Sequence, residues 1–333
     1  MKKIKEYGLT ILLIVILLLC LIYYYTRSSS KTSIINVKLL PTIVTKLEDN
    51  SIYSPTIQLI WNDLKKENNG DVVFIGDENN QTVRELNLET FKEDDISDNL
   101  YYKKYGFATP SLKNEITEGI FNKFGETSSI LDDFTFEENS KNYFFYSMLF
   151  KEFKFLNPFD KLNDDTFGIK ESSDSKLDDN LEVLFYFTDS YAVLLKTTTG
   201  DEVILYKGDR SDSFIDTYNS ITKNNKEKFL TTDTISIHNL DFKVIKEYTD
   251  LEGHKINLGE EEYLLDKVVQ TIEFKIDNEG GRVKSEAGMN FKSTALENER
   301  HFDFTDNYMI FIKEENKEIP YLMININDIK KFS

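Results

Sequence analysis

Cysteine is almost missing: Cys20 stands alone in 333 residues, so no intramolecular disulfide can form. Histidine is nearly as scarce. His238, His254 and His301 are scattered and lack the spacing of metal ligands. There is no Gly-x-Ser-x-Gly, no His-Glu-x-x-His and no phosphate-cradling glycine loop. The acidic runs Glu260-Glu261-Glu262 and Asp164-Asp165 lack the alternating ligands of a calcium loop and read as solvated charge. Nothing therefore points to an enzyme, a cofactor or a bound metal. Positive charge is in deficit too: the formal net charge is −18. An acidic surface repels phosphate backbones, which argues against a nucleic-acid partner. No internal repeat is visible.

What is present begins with a charge-free run. Residues 7–26 contain no ionisable acid or base other than Cys20 and four tyrosines. Some 20 such residues at about 1.5 Å rise each span about 30 Å of hydrocarbon. Lys2, Lys3 and Lys5 favour a cytoplasmic N-terminus, and Tyr23, Tyr24 and Tyr25 suit the interfacial aromatic belt. No small-x-small cleavage site follows the run, and Leu19 precedes Cys20 where a lipid-acceptor site would want a small residue. The expected organisation is an uncleaved anchor over 1–27, a tether and domain start over 28–48, and a folded domain over 49–333. The protein is expected in the cell membrane, single-pass, with the C-terminal domain extracellular. With 40% hydrophobic and 13% aromatic residues, the remainder can bury a substantial core.

Helix signals come early. Ser54-Pro55 is a capped start, with Ile57, Ile60, Trp61 and Leu64 on one face and Asn68-Asn69-Gly70 at the end. Thr109-Pro110 opens a second helix striped by Leu112, Ile116, Ile120, Phe121 and Phe124 and stopped by Gly125. Strands are expected at Val72–Ile75 and Tyr143–Phe150. The continuous hydrophobicity of Tyr143–Phe150 suggests burial on both faces, in the middle of a sheet. Residues 160–180 look like an acidic loop. Strand patterns then crowd together: Leu181–Phe187, Tyr191–Lys196, Glu202–Tyr206, Ile235–Ile237, Phe242–Ile245, Tyr308–Ile312 and Tyr321–Ile326, with a turn at Thr199-Gly200-Asp201 and a short helix after Ser213. The class is α+β.

One stretch keeps strand periodicity on both sides of a break. Ile272, Phe274 and Ile276 alternate with Glu273, Lys275 and Asp277. Gly280-Gly281 then interrupts, as a hinge or tight turn would. Beyond it Gly281, Val283, Ser285 and Ala287 are small or apolar, while Arg282, Lys284 and Glu286 are charged.

This stretch, with the strands that follow it, resembles the serpin family. Ile272–Gly280 matches a strand ending in Glu-Glu-Gly. Tyr308–Lys313, preceded by Phe302, is similar to Pro-Phe-Leu-Phe-Phe-Ile-Arg, with Asn307 in place of the proline. Pro320–Asn327 is similar to Ile-Leu-Phe-Met-Gly-Arg-Val-Val. Upstream, Asn50–Pro55 resembles Asn-x-x-x-Ser-Pro. Phe150-Lys151 through Pro158-Phe159 resembles Phe-Lys-Gly…Trp…Pro-Phe, with Phe155 near the tryptophan, and Asn239–Lys243 resembles Leu-Pro-Lys-Phe. The pieces fall in family order over roughly residues 50–328.

The resemblance implies a fold with a large mixed sheet, a second smaller β-sheet or barrel, surrounding helices and an exposed C-terminal reactive loop. It implies a monomeric suicide inhibitor of extracellular serine or cysteine proteases, with a non-inhibitory binding or structural module as the alternative. It makes Glu279, Gly280, Gly281, Arg282, Val283, Lys284, Ser285, Glu286 and Ala287 the hinge. The cleavable segment falls on Phe291, Lys292, Ser293, Thr294 and Ala295, within a loop of about residues 281–300. Inhibitory members follow the hinge glycine with threonine and alanines. Here Gly281 replaces the threonine, and Arg282, Lys284 and Glu286 bring charge.

Overall fold

The computed structural model describes residues 37–170, 180–221, 226–230, 232–280 and 300–332. Ile34–Ser333 is one compact unit. The hydrophobic run expected to form an anchor lies outside the described residues. No helix among the described residues is long and apolar enough to cross a membrane.

Strands β1 (Lys38–Leu40) and β2 (Ser51–Tyr53) precede helices α1 (Thr56–Glu67) and α2 (Gln81–Asn87). Next come β3 (Tyr101–Phe107), α3 (Pro110–Phe124) and β4 (Tyr143–Leu149). The middle of the chain supplies β5 (Asp160–Lys161), β6 (Thr166–Ile169), β7 (Leu181–Phe187), β8 (Ser190–Lys196), β9 (Asp201–Lys207), α4 (Phe214–Ile221), β10 (Glu227–Lys228), β11 (Thr234–His238) and β12 (Leu240–Glu247). The rest are β13 (Lys255–Leu258), β14 (Glu261–Leu264), β15 (Val269–Ile276), β16 (His301–Phe304), β17 (Tyr308–Glu314) and β18 (Leu322–Ile326).

Among the described residues the largest sheet has the order β1-β2-β18-β17-β9-β8-β7-β10, antiparallel except for the parallel pair β1–β2. Its centre is β17, where Tyr308–Lys313 are all buried. A continuous apolar run suits a strand covered on both faces. Helix α4 covers one of them, with Phe214 and Tyr218 against the Phe311 ring at 6.5 and 5.5 Å. Burying a side chain such as Phe311 contributes roughly 1.5–3 kcal/mol. A smaller sheet, β16-β11-β6-β5, packs into the same core through Phe302, Phe304, Ile235, Ile237 and Phe167. Three two-stranded ladders complete the list: β12–β15, β3–β4 and β13–β14.

The helices follow the sequence pattern closely. In α1, Ile57, Trp61 and Leu64 point inward, although no side chain caps its first turn. Thr109 caps α3 by accepting from the Leu112 amide, and Gly125 ends it at φ 69°, a conformation open to glycine. Leu112, Ile116 and Ile120 are buried, but Phe121 is 60% exposed, so the stripe is narrower than expected.

Two strand expectations and one loop expectation need correction. Val72–Ile75 joins no ladder among the described residues. The Asn87 side chain bonds Val72 at both its amide and its carbonyl, taking the place of a strand partner. The region 160–170 is not a plain loop, since it contains β5 and β6. And β4 is not mid-sheet among the described residues, where it pairs with β3 alone. Its faces are nonetheless covered, by the Leu112–Ile120 stripe of α3 against Phe144 and Tyr146 and by α1 against Tyr143 and Phe145. That cover explains the hydrophobic run.

Candidate functional site: the seam at the glycine turn

Strands β4 and β15 each have one ladder partner among the described residues, and no ladder joins them to each other. They run in the same direction. At one end Tyr143, the first residue of β4, packs edge-on to Tyr263 at 5.5 Å, just upstream of β15. At the other, Lys154 bridges Gly280. Between these ends lies a seam, and among the described residues no strand pairs with the edge on either side of it.

Helix α1 forms its floor. Near the helix N-terminus, buried Gln270 of β15 donates to the Ser54 carbonyl at 3.1 Å and to Thr56 Oγ1 at 2.9 Å, and accepts from the Tyr248 hydroxyl at 2.7 Å. Near its C-terminus, Glu67 accepts from the Tyr143 hydroxyl at 3.0 Å and Asp63 pairs with Lys103 of β3 at 2.6 Å. One helix thus holds both ladders. Along β15, Gln270, Ile272, Phe274 and Ile276 are buried, while Glu273 and Lys275 are exposed, as the alternation requires. Above the seam, Lys267 Nζ sits 5.8 Å from the Phe134 ring, on the segment after α3.

After Ile276 the chain turns. Gly280 N donates to Asp277 O at 3.2 Å, and Glu279 N to Asp277 Oδ1 at 3.0 Å. Gly280 has φ 86°. A Cβ there would lie 2.6 Å from Lys154 Cα and from Phe155 N, so conformation and space both demand glycine. The turn is tied down by Phe159 N donating to Asn278 O at 2.8 Å and Asn278 Nδ2 to Phe159 O at 3.2 Å. Gly280 is bridged antiparallel on one side to Asp277 and on the other to Lys154. These isolated bridges hold Gly280 at the end of the seam.

Of the expected hinge, Glu279 and Gly280 are therefore placed. Gly281, Arg282, Val283, Lys284, Ser285, Glu286 and Ala287 lie outside the described residues, as do Phe291, Lys292, Ser293, Thr294 and Ala295. The described chain resumes at Arg300, which sequence reasoning passed over. Its guanidinium grips the fully buried carboxylate of Asp233 through Nε at 3.0 Å and Nη2 at 2.6 Å, reaches Glu227 at 2.9 Å and donates to Lys228 O at 2.8 Å. The bond to Asp233 raises the Arg300 pKa beyond its ordinary value. Strand β16 follows, parallel to β11. Its other edge is closed by hydroxyls. Tyr186 OH accepts from His301 N at 3.3 Å, and Tyr191 OH accepts from Asp303 N at 3.0 Å and donates to Asp303 O at 3.1 Å. Burial pushes the Tyr191 pKa up, which keeps that donor proton in place.

Lys154 and Arg300 had no sequence signal of their own, because their partners come from distant parts of the chain. The histidines stay apart: His254 stacks on Phe74 at 4.5 Å, and His301 Nδ1 meets Thr234 Oγ1 at 2.7 Å. Among the described residues no group of three or more His, Cys, Asp or Glu side chains is arranged to hold a metal.

No protein-family model matches the chain, and no curated protein matches it in sequence. Solved structures do. Tengpin, a thermophilic serpin in its native state, aligns with a TM-score of 0.50 at 9% identity, over 84% of this chain and 89% of that one. Mouse protein-Z dependent protease inhibitor aligns with a TM-score of 0.50 at 12% identity, over 84% and 91%. Serpin48 of the insect Tenebrio molitor aligns with a TM-score of 0.45 at 11% identity, over 84% and 92%. The chain has a serpin-like α+β fold, with a large mixed sheet, additional smaller sheets and few helices among the described residues. At these identities the likeness is one of fold.

Proposed function

We propose that this protein is a suicide inhibitor of extracellular serine or cysteine proteases, held at the cell membrane by residues 7–26 and presenting residues 281–300 as bait. The observation behind this reading is Gly280, bridged antiparallel to Asp277 and to Lys154 at the head of a seam that no ladder among the described residues closes. A protease nucleophile attacks the carbonyl carbon of a peptide bond near Phe291–Ala295. The amine of the next residue leaves with a proton, and an acyl-enzyme forms. The freed segment then extends from Gly280 into the seam as a strand, satisfying the edges of β4 and β15 and carrying the acylated protease away from water attack.

The test is incubation of the folded domain with a panel of trypsin-like, chymotrypsin-like and cysteine proteases, read by denaturing electrophoresis. A covalent complex with at least one protease is expected. Cleavage without complex for every enzyme would overturn the reading.

A second reading is a non-inhibitory serpin-like binding or structural module. Its support is the hinge composition, with Gly281 for threonine and charge at Arg282, Lys284 and Glu286. Glycine weakens a strand, and slow insertion lets the protease deacylate. This reading predicts no rise in melting temperature after the loop is cut.

A further inference from the structure

Helix α1 covers only part of the ladder face turned toward it. The antiparallel register of β3 and β4 sets Tyr105 opposite Phe145 and Phe107 opposite Tyr143. Strand alternation puts all four rings on that face. Tyr143 and Phe145 pack against the core around α1. Their partners on β3 reach into water: Tyr105 is 37% and Phe107 46% exposed.

The rings form one connected surface. Tyr105 stacks on Phe145 at 5.1 Å with the planes 12° apart, and Phe107 meets Tyr143 at 4.9 Å. Tyr143 lies 6.1 Å from Phe145 and meets Tyr263 edge-on at 5.5 Å. Tyr105 and Phe107 are the outer members. Among the described residues each contacts a single ring, and no cation sits over either.

Negative charge is fixed beside the rings by two of their own hydroxyls. Glu67, the last residue of α1, accepts from the Tyr143 hydroxyl at 3.0 Å, and Glu261 accepts from the Tyr263 hydroxyl at 3.0 Å. The C-terminal carbonyls of α1 add partial negative charge at the same end. Neither carboxylate has an ion-pair partner among the described residues, because the neighbouring lysines are committed elsewhere. Lys65 goes to Asp71 and Glu89, Lys66 to Asp63 and Glu93, and Lys255 to Glu262. Of the two lysines in β3, Lys103 is held by Asp63, and Lys104, on the opposite face, by Glu115.

We propose that this surface docks a basic polypeptide segment, whose arginine side chains stack on Tyr105 and Phe107 and are drawn in by Glu67 and Glu261. Aromatic faces attract cations through the ring quadrupole. A planar guanidinium suits an open row of rings better than a compact ammonium does, whereas a choline head group is recognised by an enclosing cage. A second copy of the chain is disfavoured, since each carries a net charge of −18 and like charge opposes association. Such a partner is distinct from a protease that cuts within 281–300, and it is recognised whether or not the chain inhibits one.

The probe is a dansyl-labelled Gly-Arg-Gly-Arg-Gly peptide, titrated with the full chain at low ionic strength and read by fluorescence anisotropy. Saturable binding is expected. Phe107→Ala and Tyr105→Leu should each weaken it about two- to fivefold. Tyr105→Phe keeps the ring and should keep the affinity, which separates loss of the ring from a fault in folding. Glu67→Gln keeps an acceptor for the Tyr143 hydroxyl but removes the charge, so its loss of affinity should fade as salt is raised. Equal binding of a Gly-Lys-Gly-Lys-Gly peptide would show attraction by net charge alone and overturn the arginine stack. Tighter binding of glycerophosphocholine than of the arginine peptide, abolished by Phe107→Ala, would assign the surface to a choline head group and overturn the polypeptide partner. No binding, or binding unmoved by Phe107→Ala combined with Glu67→Gln, overturns the site.

Discussion

Gly280 and Lys154 face each other as an antiparallel bridge, and the space between their backbones leaves no room for a Cβ. Gly280→Ala adds a methyl group 2.6 Å from Lys154 Cα at a residue with φ 86°. The expected outcome is a loss of about 1–3 kcal/mol, seen as a lower urea midpoint at unchanged slope. A midpoint equal to that of the unaltered protein would show that the turn relaxes without cost.

Gln270 is the polar tie between β15 and the start of α1. Gln270→Leu keeps the volume but leaves the buried Tyr248 hydroxyl without its acceptor. Burial already holds that phenol far from ionisation, so it stays a donor in need of a partner. The expected cost is about 1–3 kcal/mol, checked by equilibrium denaturation. Restoration by Tyr248→Phe in the same chain would assign the loss to the orphaned hydroxyl.

The described chain resumes at Arg300 after Gly280. Arg300→Ala strands the fully buried Asp233 carboxylate, at a cost of roughly 3–5 kcal/mol. Arg300→Lys should regain only part, because an ammonium cannot make the forked contact. Thermal melting of the two variants provides the measurement, and equal melting of lysine and arginine forms would contradict the forked role.

Acid should weaken the α1 region through Glu93. Hydrogen bonds from Lys103 first, and then Lys66, hold its carboxyl below the ordinary glutamate pKa. A lowered folded-state pKa contributes stability that is fully present above the unfolded value of about 4.3 and is lost as pH falls through the folded value. Melting temperature should therefore drop on acidification below about pH 4.3, and Glu93→Gln should flatten part of that drop. Because the side chain is 38% exposed, solvent screening keeps the effect small.

Much of the fold was legible where a local pattern met a local cause. Ser213 through Ile221, the Leu181–Tyr206 strands and the Gly125 stop all follow from spacing and turn chemistry. Tyr101–Phe107 escaped because Tyr-Tyr-Lys-Lys-Tyr-Gly-Phe has no clean alternation, and its strand character comes from pairing with Tyr143–Leu149. Val72–Ile75 misled for the opposite reason: it alternates, with Val72 and Phe74 buried, yet Val72 bonds the Asn87 side chain and the Ile75 amide makes a single bond to Lys255 O, with no ladder among the described residues. In the candidate site, Gly280 was visible as half of a glycine pair. Lys154 was not, because its relation to Gly280 exists only once the fold brings the two together.

The centre of the largest sheet comes from near the C-terminal end of the sequence. Strands β17 and β18 lie between β2, from near residue 50, and β9, from near residue 200. Until residues 308–326 arrive, β1–β2 and β7–β10 have no common neighbour. Assembly of the whole sheet is therefore a late, long-range event of the slow kind. The same arrangement means that a chain cut within 281–299 keeps both fragments, since the downstream piece is interleaved through the middle of the upstream one. A nicked molecule would separate into two polypeptides only when the entire sheet is unfolded.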